Sequence, residues 1–179
     1  MDEIQQTCRK IEAEHKPWLI GTDDVLFTPR HLALAVKAGA CEDAVAWVKE
    51  HPGCTWGDLQ LEWRGWYAVK VAVPHCWYAQ ARALVAESDD PAWWSGECAG
   101  AAAKRGDEAE ARRFISESDD PAEWSGECAG AAARRGDYTQ ARCFISQSDD
   151  RAYWSGLCAL AAAKRGDEAE AARFRKEAK

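Results

Sequence analysis

No apolar run in this chain approaches the roughly 20 residues that a membrane-spanning helix needs, so no membrane span is expected. The N-terminus, Met1-Asp2-Glu3-Ile4-Gln5-Gln6, lacks the basic start and apolar core of a secretory signal. Basic charge is also in deficit. There are 23 Lys and Arg against 30 Asp and Glu, a formal net charge of -7. A surface of that sign repels phosphate, so direct binding to nucleic acid or to anionic membranes is not expected. Catalytic signatures are missing as well. There is no phosphate-cradling glycine loop and no nucleophile elbow, and the four histidines (His15, His31, His51, His75) lie in the N-terminal half. Together these absences lead to the expectation of a cytoplasmic protein with no catalytic centre and no cofactor.

Cysteine is not scarce, but no Cys-x-x-Cys pair occurs among the eight. Cys98, Cys128 and Cys158 recur 30 residues apart, at a position suited to a small buried side chain. Equivalent positions of stacked blocks normally lie beyond the 7 Å or so that a disulfide can bridge. Without a secretion signal, reduced core thiols are the expectation.

What the chain does have is a repeat. Ser-Asp-Asp opens blocks at 88–90, 118–120 and 148–150. Trp94, Trp124 and Trp154 follow, then Ser-Gly, the cysteines, an alanine run and Arg-Gly-Asp at 105–107, 135–137 and 165–167. Phe114, Phe144 and Phe174 close the pattern. Self-similarity at such a period is the signature of a stacked helical array. In each block the Ser-Asp-Asp segment supplies N-caps, and Pro91 and Pro121 suit a first helical turn. Helix A ends at Gly106, Gly136 or Gly166, and Asp107, Asp137 and Asp167 begin helix B with capping boxes. The Arg-Gly-Asp triplets are thereby explained as helix stop and next cap, without integrin recognition. Helix A is slim, with Gly96, Ala99, Gly100 and Ala103 on one side, so a neighbouring helix can come close.

The order Trp, Gly-Asp, late aromatic and Asp-Pro resembles a tetratricopeptide-type repeat over roughly residues 58–179. The resemblance implies an all-α fold, an α-solenoid of stacked helix-turn-helix repeats. The period of 30 is shorter than that family's usual 34, and Gly and Ala replace its large mid-helix residues. The blocks are 58–87, a degenerate repeat with Trp63 near the Trp position, then 88–117, 118–147 and a terminal capping repeat at 148–179. Residues 1–57 carry a short N-terminal helix over 2–15, a helix from Thr28-Pro29 to Lys37 stopped by Gly39, and a partner helix over Glu42–Glu50. The string Thr28-Pro29-Arg30-His31-Leu32-Ala33 is similar to the opening of an ankyrin repeat, with a longer spacing to Gly39.

Three groups of residues bear on function. His51, Cys54, His75 and Cys76, with Cys41 nearby, are metal-ligand types in the least regular part of the chain, but the adjacent His75-Cys76 pair is awkward for one ion. No metal is expected there, and a metal- or thiol-dependent enzyme centred on 41–76 is the rival reading. Tryptophan is the second group. Six of the ten tryptophans fall between Trp56 and Trp94, and they either seal the degenerate repeats or form an interface. Trp93 varies to Glu123 and Tyr153 while Trp94 does not. A position that varies on a fixed scaffold faces outwards, so Trp93, Glu123 and Tyr153, supported by Trp63 and Trp66, are the candidate partner-binding face. The third group is an acidic ladder, Asp89, Asp90, Asp119, Asp120, Asp149 and Asp150, facing a partner with a basic surface.

The expected function is that of a non-enzymatic protein-interaction module, an adaptor or small inhibitor that occupies another protein's surface. A narrower form of this reading is a phage or mobile-element inhibitor of a nucleic-acid-handling complex, similar in manner to anti-CRISPR proteins.

Overall fold

The computed structural model describes residues 26–179, so the expected helix over 2–15 lies outside the described residues. Among the described residues the fold is all-helical, with ten α-helices, no strand and one isolated antiparallel bridge between Leu26 and Thr55. No described helix is long and apolar enough to cross a membrane. The chain folds as two compact units that divide between Pro91 and Ala92.

In the first unit, α1 (Pro29–Lys37) starts at Thr28 with a reciprocal capping box in which His31 takes the place usual for Glu or Gln. The His31 amide donates to Thr28 Oγ1 (3.4 Å), and the Thr28 amide donates to His31 Nδ1 (3.0 Å). The chain then turns at Gly39 and enters α2 (Glu42–Glu50), both spans as the sequence predicts. Next, α3 (Leu61–Tyr67) runs on through a π turn at Ala68–Ala72 and a 3-10 turn at Val73–His75, and α4 (Tyr78–Ala86) follows. The core here is aromatic. Phe27, Trp56 and Tyr67 are buried and meet edge-on, with Trp56 4.8 Å from each of the other two rings and His31 5.2 Å from Trp56.

The second unit holds α5 (Pro91–Arg105), α6 (Glu108–Ser116), α7 (Pro121–Arg135), α8 (Tyr138–Ile145), α9 (Arg151–Lys164) and α10 (Glu168–Glu177). Within it α7 packs on α8, α9 on α10, and α7 on α9. The helix stops fall where glycine was expected to place them. Gly106, Gly136 and Gly166 have φ of +90°, +88° and +85°, the left-handed conformation that closes a helix at low cost only for glycine. In the first unit Cys76, 30 residues before Gly106, adopts φ +61°, the one positive φ outside glycine among the described residues. The same left-handed turn geometry occurs there without a glycine.

Within the Ser-Asp-Asp segments, expected to supply the N-caps, the three residues divide the work. The serine ties backwards: the hydroxyls of Ser88, Ser118 and Ser148 donate to the carbonyls of Val85, Ile115 and Ile145 at 2.6 to 2.8 Å. The second aspartate is the N-cap, with Asp120 Oδ1 accepting from the Ala122 and Glu123 amides and Asp150 Oδ1 from Tyr153. The first aspartate holds an indole, since Trp124 Nε1 donates to Asp119 Oδ1 at 3.0 Å. Asp107 and Asp137 accept from the Glu110 and Gln140 amides, the N-cap half of the expected capping boxes. Asp167 does not cap α10; its carboxylate accepts from the Tyr138 hydroxyl instead, while Glu170 pairs with Arg142 at 2.6 Å. Asp137→Ala is expected to cost about 1 kcal/mol in a denaturant melt, the usual loss for an N-cap. An unchanged midpoint would show that the 3.1 Å bond from the Gln140 amide contributes nothing.

Two contacts recur between helices 30 residues apart. Trp124 lies against Gly96 and Trp154 against Gly126 so closely that a Cβ on either glycine would sit 1.9 Å from the indole Cε2. On the other side, the Arg112 guanidinium lies 4.8 Å from the Phe144 ring centre and Arg142 lies 4.5 Å from Phe174, both cation–π contacts. Cys98, Cys128 and Cys158 are fully buried, and none forms a disulfide. Burial pushes the Cys128 thiol up to about 12 and the Cys158 thiol to about 11, which keeps both protonated and unreactive.

One position departs from the expected phase. Arg64, not Trp63, stands 30 residues before Trp94, and it is buried. It donates from one guanidinium nitrogen to Glu87 (3.0 Å) and from the other to the Gly57 carbonyl (2.9 Å). A buried arginine is tolerated because its charge is paired.

Candidate partner-binding site

A cleft of about 360 Å³ lies between α5 and α7. From α5 it is lined by Trp93, Glu97, Gly100 and Lys104, residues at i, i+4, i+7 and i+11 and therefore on one helical face. From the loop before α7 and its first turns come Asp119, Asp120, Glu123, Trp124 and Glu127. Five carboxylates thus face one ammonium, a field that favours cations. Gly100 gives the cleft depth: nothing lies within 4 Å of where its Cβ would be.

Trp93 stands at the rim with 40% of its surface exposed. Its ring meets the buried Trp94 edge-on at 4.5 Å, and the side chain is only partly covered. Sixty residues later Tyr153 sits on Trp154 in the same way, at 5.0 Å and 56% exposed. Adjacent helical residues point about 100° apart, which is why one of each pair is core and the other is not.

The sequence-predicted site residues therefore fall into separate places. Trp93, Asp119, Asp120 and Glu123 come together in the cleft. Asp149, Asp150 and Tyr153 are exposed at the start of α9, and Asp89 and Asp90 are exposed before α5. Trp63 and Trp66 belong to the first unit, where they are half-buried and line an apolar cavity of about 240 Å³ among α1, α2 and α3, together with Val45, Val48 and Leu59. Sequence reasoning missed Glu97 and Glu127. The signal for them is the same helical face that Trp93 and Glu123 begin, followed for one further turn.

The two histidines of the metal-ligand set are engaged locally. His51 Nδ1 is 2.8 Å from the Trp47 carbonyl, with the two rings stacked at 4.3 Å, and His75 Nδ1 is 2.7 Å from the Val71 carbonyl. Cys54 is buried, and burial together with the nearby Asp58 carboxylate raises its thiol above the ordinary range. Among the described residues no three His, Cys, Asp or Glu side chains converge as a metal site.

No family model matches the chain, and no curated protein and no solved structure is significantly similar to it.

Proposed function

We propose that this chain is a protein-interaction module, a short tetratricopeptide-like solenoid that binds a basic surface of another protein through the cleft between α5 and α7. The observation that carries the reading is the pairing of an anchored, outward-facing Trp93 with five carboxylates in one cleft. A lysine or arginine of the partner would enter the acidic cleft and lay its cation against the indole, gaining both charge pairing and cation–π attraction. The 30-residue period and the recurring Trp-on-Gly and Arg-on-Phe contacts support the solenoid. An inhibitor that occupies the basic channel of a nucleic-acid-handling complex is the same reading with a narrower partner. A thiol enzyme centred on 41–76 is less well supported, because burial favours the protonated Cys54 and both neighbouring histidines bond to main-chain carbonyls.

Trp93→Ala tests the proposal. With the partner recovered from the native host by affinity purification, the variant is expected to bind it at least about 2 kcal/mol more weakly, the size of an interface anchor. Its melting free energy should fall by less than the roughly 3–5 kcal/mol that truncating a buried tryptophan costs, because Trp93 is 40% exposed. Affinity should also decline with salt, because the recognised groups are charges. A large loss of stability with affinity retained would assign Trp93 to the core and remove it from the site.

A further inference from the structure

We propose that the cleft between α5 and α7 selects arginine over lysine, seating the partner's guanidinium on Gly100, an inference that rests on the proposed function of that cleft. The chain carries its own example of such a seat. Gly130, on α7, corresponds to Gly100 one period later. Arg134 follows Gly130 at i+4, where helical side chains reach back along the same face. Its guanidinium lies over the glycine, with Nη2 3.4 Å and Cζ 3.9 Å from where a Cβ on Gly130 would be. Gly130 is buried.

Around Gly100 the same arrangement recurs with one change. Lys104 stands at i+4, where α7 has Arg134. The lysine does not settle on its glycine. Nothing lies within 4 Å of where a Cβ on Gly100 would be, and Gly100 is only half-buried. The two positions share a helix type, a spacing and a charge, so the difference lies in the head group. A guanidinium is flat and weakly hydrated, and it can lie against a surface; an ammonium is a compact, strongly hydrated point charge.

The walls of the cleft also suit a guanidinium. Asp119 and Asp120 use Oδ1 to accept from the Trp124 indole and from main-chain amides, which leaves Oδ2 of each unbonded among the described residues. Glu97, Glu123 and Glu127 make no hydrogen bond or ion pair with the described residues. Trp93 and the half-buried Trp124 add aromatic surface. A planar fork of N–H donors can bond several carboxylate oxygens while its face lies on an indole. Of the chain's own described cations, Lys104 alone lines the cleft. A second copy is opposed by its own net charge of -7, so the arginine belongs to a basic partner.

The test uses the full chain and two fluorescent peptides of equal length and charge, all-arginine and all-lysine, titrated by anisotropy at one salt concentration. Wild type should bind the arginine peptide at least about tenfold more tightly, because long-range attraction is the same for both. Lys104→Arg conserves charge but gives the chain its own guanidinium for Gly100. It should bring the arginine peptide down to the affinity of the lysine peptide. Gly100→Leu fills the seat and should do the same. Helix α9 carries Leu160 at the corresponding position and the space at Gly100 is open, so a melting curve like that of wild type is expected. Equal binding of the two peptides by wild type, or a preference that survives in either variant, would overturn the proposal. So would sedimentation showing a dimer that Gly100→Leu abolishes, since a second copy would then hold the cleft. Trp93→Ala separates this inference from the reading beneath it. Peptides that wild type binds equally, and Trp93→Ala binds more weakly, would sink the arginine seat and leave the cleft as the binding site. Affinities that neither Trp93→Ala nor Gly100→Leu alters would sink the cleft itself, and the seat with it.

Discussion

Gly126→Ala is expected to destabilise the protein by about 3 kcal/mol, even though alanine is the better helix former by about 1 kcal/mol. The new methyl would sit 1.9 Å from Cε2 and 2.1 Å from Nε1 of Trp154, well inside the distance at which atoms attract. Neither side yields easily. Gly126 is in the interior of α7, whose backbone is fixed by its own hydrogen bonds, and Trp154 is 6% exposed. The ring must leave its seat or the two helices must part. Gly156→Ala, in the same Trp-Ser-Gly context, should act in the opposite direction and stabilise by about 0.5–1 kcal/mol, because only the helix-propensity difference remains. Paired denaturant melts check this. Two shifts of the same sign would show that the seat, as drawn by the Trp154 contact, does not hold α7 and α9 together.

That contrast was legible in the sequence only in part. Caps, stops and helix spans depend on residues within a few positions of one another, so Thr28, Gly39, Gly106, Gly136 and Asp137 announced themselves. The slimness of helix A could also be read. Which glycine receives which tryptophan could not, because it depends on the offset between neighbouring helices, a property of packing and not of the repeat period. The same offset sets the cleft. Trp93 and Glu123 were readable as outward positions, but their meeting with Asp119, Glu97 and Glu127 across α5 and α7 required the helices to be placed.

Departures from expectation cluster where the period decays. Trp63 lies one residue from the repeat's tryptophan position, which the shift of 30 assigns to Arg64, and the structure buries Arg64 against Glu87 and Gly57. A buried arginine has no signature in a hydropathy pattern. Trp63 and Trp66 are drawn into an apolar cavity by α1 and α2, which lie outside the clear period. The π turn at Ala68–Ala72 likewise has no local signal, since Ala, Val and Lys suit an ordinary α-helix equally well. Asp167 satisfied the capping pattern in sequence and still gave its carboxylate to the Tyr138 hydroxyl, a competitor 29 residues away that only packing could supply.

Trp154→Ala is expected to cost about 4 kcal/mol, the largest single effect of those considered. The side chain is 6% exposed, and on α7 it lies against Gly126, which has no side chain to fill the space left behind. Trp124→Ala should cost less, because Trp124 is half-buried and one side of it lines the open cleft. The decisive measurement is a double-mutant cycle with Gly126→Ala. Once the indole is gone, the methyl at 126 no longer collides with anything it defines, and the substitution should become neutral or mildly stabilising. The two losses would then fail to add by about 3 kcal/mol, the upper range for residues in direct contact. Strict additivity, with Gly126→Ala as harmful in the Trp154→Ala background as alone, would mean that the collision is with something other than the ring. The Trp-on-Gly contact would then cease to explain how helices 30 residues apart are held together.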